Sequence, residues 1–133
     1  MAQSYAGDIM PEEAHRVLGY DPKAVLVDVR TAGEWRAVGV PDLSALGKDV
    51  VLLPWIVSPG QLPNPDFVAT LEQQVADKDT PLLFLCKVGG RSRAAAIAAT
   101  AAGYTHCYNV AEGFEGMGGA TGWRPKGLPW SPG

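Results

Sequence analysis

The stretch PLLFLCKVGGRSRAAAIAATAAG, residues 81–103, decides the fold. Leu82 to Leu85 is an unbroken apolar run, the pattern of a strand buried on both faces of a parallel sheet. Cys86 to Ser92 is a glycine-bearing loop. Arg93 to Ala102 is almost wholly alanine, the strongest helix former, and predicts a helix with Gly103 at its C-terminal cap.

A cysteine between such a strand and such a helix occupies a particular electrostatic setting. The helix N-terminus has unpaired N–H groups and a partial positive charge, both of which favour an anion. Gly89 and Gly90 let the backbone curl so that successive N–H groups point inward, as in an anion-binding nest. Lys87, Arg91 and Arg93 add cationic side chains. Each feature favours the thiolate, the reactive form of the side chain. Cys86 is therefore the candidate nucleophile, and Ser92 is expected to cap the helix.

Elsewhere the chain alternates apolar strands with helical patterns. Pro11-Glu12-Glu13, followed by Ala14, Val17 and Leu18, predicts a short helix ending before Gly19. Val25 to Val29 is a second buried strand. Thr31 and Glu34 have the spacing of a capping box, which predicts a helix over 32–38. Val50 to Leu53 is a further strand, and residues 56–63 read as loop, punctuated by Pro59, Gly60 and Pro63. Asn64-Pro65-Asp66 reads as N-cap, first-turn proline and first-turn acid. Phe67, Leu71 and Val75 then recur on one apolar helical face, as core. Cys107 to Val110 is the last strand.

Residues 113–133 hold seven glycines and three prolines, yet also Trp123 and Trp130. Exposing two indoles is unfavourable, so this tail is expected to fold back onto the body.

Alternating strands and helices imply an α/β fold: a parallel sheet of about five strands, helices on both faces, right-handed crossovers. The 133 residues make one domain with enough chain for a packed core. In such sheets ligands bind outside the carboxyl ends of the strands, and that rule puts Cys86, Arg30 and Glu112 at one rim.

The composition, 47% hydrophobic and 19% charged with net charge −3, suits a globular protein and argues against nucleic acid or an anionic membrane as partner. No stretch approaches the ~20 apolar residues of a membrane span. The N-terminus MAQSYAGDIMPEEAH lacks the pattern of a secretory signal, so a cytoplasmic location is expected. Two cysteines do not suggest a disulfide scaffold; Cys107 reads as a buried strand residue, with a resolving thiol for Cys86 as the alternative. His15 and His106 read as surface or edge residues. With no paired C-x-x-C spacing, neither a zinc site nor another cofactor is expected.

The loop Cys86-Lys-Val-Gly-Gly-Arg-Ser92 resembles the C-x-x-G-x-R-S active-site loop of the rhodanese superfamily. Val25-Leu-Val-Asp-Val-Arg30 with Glu34-Trp35 is similar to that family's strand-plus-acid motif. Gly103-Tyr104, Asn109-Val-Ala-Glu-Gly113 and Gly127-Leu-Pro129 are similar to its closing segment. The three motifs stand in the expected order over nearly the whole chain. The chain departs from the family at Met10, where a serine or threonine is usual, so the first helix is expected to lack a side-chain N-cap. It departs again at Val38-Gly-Val-Pro41, where a histidine is common and no catalytic step is known to need one.

The resemblance implies sulfur transfer: a thiosulfate-type donor, a Cys86 persulfide, and a thiol or cyanide acceptor, with a protein thiol of a sulfur relay among the candidates. Cysteine phosphatases use a similar loop with five residues between cysteine and arginine. Four lie between Cys86 and Arg91, and this smaller ring of N–H groups suits one sulfur atom better than a phosphoryl group. A persulfide carrier or a non-catalytic interaction module is the alternative; a cysteine-dependent phosphatase or arsenate reductase ranks below both. Lys87, Val88, Gly89, Gly90, Arg91 and Ser92 are expected to bind the donor and hold the persulfide, chiefly through the N–H groups of Val88 to Ser92. Lys87 either meets an anionic donor or is a solvated lysine. Arg91 either binds the donor or, as preferred here, pairs with Glu34 or Glu112 to hold the loop. Asp28, Arg30, Glu34 and Glu112 are expected to support the site through charge-assisted hydrogen bonds. A Cys86 side chain turned inward among apolar neighbours, with the surrounding amides facing elsewhere, would be incompatible with this chemistry.

Overall fold

The computed structural model describes residues 4–57 and 62–133. In chain order its elements are β1 (Gly7–Ile9), α1 (Pro11–Tyr20), β2 (Val25–Asp28), α2 (Ala32–Val38), β3 (Val40–Pro41), β4 (Val51–Leu52), β5 (Ile56–Val57), β6 (Leu62–Pro63), α3 (Phe67–Gln74), β7 (Leu82–Leu85), α4 (Gly90–Ala101), β8 (Cys107–Val110) and β9 (Trp130–Ser131). Five strands form a parallel sheet in the order β1-β8-β7-β2-β4. This is the expected α/β architecture, and β7 occupies its centre.

Side-chain alternation along the strands divides the core in two. Val27, Val29, Leu82, Phe84, Cys86 and Cys107 share one face with Phe67 and Leu71 of α3 and Ala95, Ala96 and Ala99 of α4. Leu26, Leu83, Leu85 and Val110 share the other with Ala14 and Leu18 of α1 and with Phe114 and Trp123 of the tail. All four β7 residues are buried, as a central parallel strand requires. The alanines of α4 let its axis approach the sheet closely, and burying each large apolar side chain contributes about 1.5–3 kcal/mol.

Local signals decide most boundaries. Thr31 and Glu34 form the complete capping box, and α2 runs over the expected residues. Met10 provides no side-chain cap to α1. That helix continues through Gly19 to Tyr20, one turn-end longer than expected. Asn64 is not the N-cap of α3: its Oδ1 accepts the Asp66 N–H at 3.0 Å and its Nδ2 donates to the Pro54 carbonyl at 3.1 Å, so it closes a turn and the helix starts at Phe67. The segment expected to be loop contributes an antiparallel pair, Ile56 opposite Pro63 and Val57 opposite Leu62; Pro59 and Gly60 lie outside the described residues.

The tail does fold back. Trp123 is fully buried and its indole N–H donates to the Pro129 carbonyl at 2.7 Å. Trp130 lies on the surface instead, in β9 against β3, with the Arg124 guanidinium 4.1 Å over its ring.

Candidate active site

Cys86 follows the last residue of β7, at the carboxyl edge of the sheet and directly before the turn into α4. It is 1% exposed and belongs to the apolar cluster beneath α3 and α4. Two polar groups nevertheless reach its sulfur. The Gly89 N–H donates to Sγ at 3.1 Å, and the Ser92 hydroxyl lies 3.2 Å away. Where a ring of amides from Val88 to Ser92 was expected around the sulfur, one amide, that of Gly89, contacts it among the described residues. The side chain is buried, but it is not enclosed by apolar atoms alone.

The helix begins earlier than its alanine run predicts. Gly89 is the N-cap, in the left-handed region with φ +107°, and Gly90, Arg91 and Ser92 form the first turn of α4. The Arg93 N–H bonds to the Gly89 carbonyl at 3.2 Å, so the amides of Gly90, Arg91 and Ser92 precede the first intrahelical bond. That places the positive end of α4 beside Cys86. Ser92 is therefore not a helix cap: it is the third helical residue, and its buried hydroxyl faces the sulfur and the Asn109 Oδ1, 2.6 Å away.

The closing segment holds the loop by backbone contacts. The Phe114 N–H donates to the Cys86 carbonyl at 2.7 Å, and the Glu115 and Gly116 N–H groups donate to the Lys87 carbonyl at 3.1 and 3.3 Å. A Cβ on Gly113 would stand 2.4 Å from the Lys87 oxygen and 2.6 Å from the Cys86 oxygen, so glycine is required for this approach. The Cys86 backbone is thus fixed from the tail.

The three acids and one arginine expected to support the site, Asp28, Arg30, Glu34 and Glu112, each form an ion pair. Arg91 meets Glu34 with Nη1 and Nη2 at 2.7 and 2.9 Å from the two carboxylate oxygens. Burial pushes the Glu34 carboxyl up, but the Arg91 guanidinium and the Thr31 donors outweigh this and bring it down to about 2. The hydrogen bond to Glu34 in turn holds the Arg91 guanidinium above its ordinary value. Asp28 and Arg30 form a fully buried fork: Nε donates to Oδ1 at 3.0 Å and Nη2 to Oδ2 at 2.7 Å. Arg30 Nη2 also donates to the Gly39 carbonyl at 2.9 Å, and the guanidinium lies 4.2 Å over the Phe114 ring. Glu112 accepts from the Gly122 N–H at 2.9 Å and pairs with Lys126 at 2.7 Å; the Lys126 hydrogen bond lowers its carboxyl pKa. It braces the tail and does not reach Arg91.

The remaining candidates separate by exposure. Lys87 and Gly90 are exposed and Val88 is 40% exposed, so this part of the loop faces solvent. A cavity of about 500 Å³ is lined by Arg91 and Glu34 together with Pro54, Ile56 and Val57; Cys86 does not line it. Cys107 is buried, and burial pushes its thiol up, which disfavours it as a nucleophile. His15 packs edge-on against Trp123 at 5.7 Å, and His106 is exposed.

Asn109 is the residue that sequence reasoning missed. It is one residue of the Asn109-Val-Ala-Glu-Gly113 motif, yet it is 4% exposed and joins Ser92 to Asp8. A polar residue two positions after buried Cys107, on the same strand face, is the signal that marks it.

Comparison with known proteins bears on the family and the fold. The family model described as the STR4 middle domain matches residues 7–133. The uncharacterized protein RC0915 of Rickettsia conorii is 41% identical over 124 residues, covering 92% of this chain and 95% of the relative. The chloroplastic protein THYLAKOID RHODANESE-LIKE of Oryza sativa subsp. indica is 34% identical over 94% of this chain, which spans 25% of its length. Among solved structures, Rv0390 of M. tuberculosis superimposes with a TM-score of 0.87 at 50% identity, covering 97% of this chain and 99% of that one. The polysulfide-sulfur transferase of Wolinella succinogenes shares the fold, with a TM-score of 0.69 at 23% identity over 96% of this chain and 79% of that one. Among the described residues no helix is long and apolar enough to cross a membrane. By sequence motifs, fold and relatives alike, this chain belongs to the rhodanese-like family.

Proposed function

We propose that the protein is a sulfurtransferase that carries a sulfane sulfur as a Cys86 persulfide. The Cys86 thiolate attacks the outer sulfur of thiosulfate or a similar donor, an S–S bond forms, and the bond to the leaving sulfite breaks with its electron pair. An acceptor thiolate or cyanide then takes the terminal sulfur and regenerates the Cys86 thiolate, a double displacement with no net oxidation of the protein. The observation that carries this reading is the sulfur at the N-terminus of α4, 3.1 Å from the Gly89 amide, with the amides of Gly90, Arg91 and Ser92 ahead of the first intrahelical bond. Each donor turned onto an anionic sulfur contributes about 1.5–3 kcal/mol. Among the described residues Lys87 is the cationic side chain of the loop with no ion pair, placed for an anionic donor, whereas Arg91 is committed to Glu34.

Cytoplasmic turnover with a small donor and a thiol acceptor is part of this proposal. The burial of Cys86 favours one competing reading, a non-catalytic interaction module. Assay of thiosulfate with cyanide or a dithiol separates them. Multiple turnovers, absent in Cys86→Ser, support the transferase; a single stoichiometric sulfur without turnover supports a carrier. No sulfur on the protein supports the module, and hydrolysis of an aryl phosphate instead would support a phosphatase.

A further inference from the structure

A chain of hydrogen bonds leads from the Cys86 sulfur to the surface. Ser92 Oγ stands 3.2 Å from Cys86 Sγ and 2.6 Å from Asn109 Oδ1. Asn109 Nδ2 donates to Asp8 Oδ1 at 3.1 Å, and that oxygen also accepts the Tyr5 hydroxyl at 2.8 Å. Ser92 and Asn109 are both buried, while Asp8 is exposed.

The donor inventory orients this chain. An ionised carboxylate only accepts, so Asp8 fixes the Asn109 carboxamide with nitrogen outward and oxygen towards Ser92. The Ser92 hydroxyl carries one proton and faces two acceptors, Asn109 Oδ1 and the sulfur. With a neutral thiol the chain is satisfied throughout: S–H to Oγ, O–H to Oδ1, and N–H to Asp8. With an anionic sulfur it is not, because a hydroxyl turned to the sulfur leaves the buried Asn109 oxygen unpaired.

We propose that Asn109 is a positioning residue for Cys86, acting through Ser92, whose single hydroxyl proton its carboxamide oxygen draws away from the sulfur. Asn109 thereby opposes accumulation of a resting thiolate and keeps the anion, once formed, less solvated by the protein. The inference rests on the reading of Cys86 as the nucleophile.

The charged groups around the site are unchanged by the substitutions that test this, apart from Asp8 itself. They are Lys87, exposed and next to Cys86 in the chain; Arg91, within electrostatic reach of Cys86 and Asp28 and paired with Glu34; Arg30, paired with Asp28; and Arg93, 5.6 Å over the Tyr5 ring.

The experiment is the pH–rate profile of Cys86 alkylation by iodoacetamide, followed on the Cys86 peptide by mass spectrometry. Asn109→Leu removes the competing acceptor. Asp8→Asn frees the Asn109 carboxamide to turn its nitrogen towards Ser92, so the two variants are expected to act alike although one side chain is buried and the other exposed. In both, the profile moves to lower pH and the rate on its acidic limb rises about tenfold, the size of one hydrogen bond to a charged group. In a Ser92→Ala background the same substitutions leave the profile where Ser92→Ala puts it. A shift that persists without Ser92, or no shift in Asp8→Asn with Ser92 present, overturns the proposal; Asp8→Asn decides the matter should Asn109→Leu fail to fold. Alkylation reports on the thiol alone, so failure of sulfur transfer and failure of this inference are separately visible.

Discussion

Arg91 and Glu34, 57 residues apart in sequence, grip each other through two parallel N–H···O contacts of 2.7 and 2.9 Å. Glu34 also closes the capping box of α2, and Arg91 belongs to the first turn of α4. One carboxylate therefore sets the start of α2 and ties it to the helix end beside Cys86. A guanidinium used in this way clamps the first turns of two helices together.

The clamp predicts a pH-dependent stability. Glu34 sits at about 2 in the folded chain against 4.5 for the free group, so the folded value is the lower one. Its contribution is present in full above about pH 4.5 and is lost as pH falls towards 2. Arg91→Ala is expected to cost about 1–3 kcal/mol near neutral pH, and the gap to the parent protein to narrow by about pH 3. Denaturant titrations at the two pH values measure it; an equal gap at both contradicts the assignment.

Neighbouring glycines in the loop should respond oppositely to alanine. At Gly89, φ is +107° and an added Cβ would lie 2.3 Å from the Ala111 oxygen. Gly90 is helical, with nothing within 4 Å of its Cβ position. Gly89→Ala is expected to lose about 1–3 kcal/mol of stability and most sulfur transfer, whereas Gly90→Ala stays within about 0.5 kcal/mol of the parent. Thermal melts and turnover assays on the pair check this, and equal effects would contradict the loop geometry.

Breaking the buried Asp28–Arg30 fork from one side leaves the other charge unpaired in the core. Arg30→Met is expected to destabilise by about 3–5 kcal/mol. Replacing both residues with apolar groups should recover part of that loss. A double variant no more stable than the single one would show that the fork does more than balance charge.

Burial of Cys86 predicts selection by reagent size. With 1% of the residue exposed, iodoacetamide and thiosulfate should react far faster than a bulky aromatic disulfide, relative to their rates with a free thiol. Comparable relative rates for the large and small reagents would mean that the sulfur is open to solvent in solution.

The sheet was legible because Leu82 to Leu85 is an unbroken apolar run, the pattern of a doubly covered strand, and Val25 to Asp28 and Cys107 to Val110 are largely apolar. β1 was not, since Gly7-Asp8-Ile9 has no apolar run and is a strand only because β8 offers it a partner. The box of Thr31 and Glu34 is local chemistry and set α2 to the residue. The start of α4 escaped because Gly90, Arg91 and Ser92 are ordinary in a first turn, while the alanines beyond them dominate the pattern. Cys86, Arg91 and Glu34 could be named from spacing, but whether Arg91 met Glu34 or Glu112 depended on packing. Ser92 and Asn109 depended on it further, because a hydrogen bond between α4 and β8 leaves no periodic trace.

The most direct measurement is the intact mass of the protein after incubation with thiosulfate and removal of excess donor. A persulfide on Cys86 adds one sulfur atom, which cyanide removes, which Cys86→Ser never acquires, and which Cys107→Ser acquires in full. An unchanged mass in the parent protein, or a sulfur atom gained by Cys86→Ser, would contradict the account.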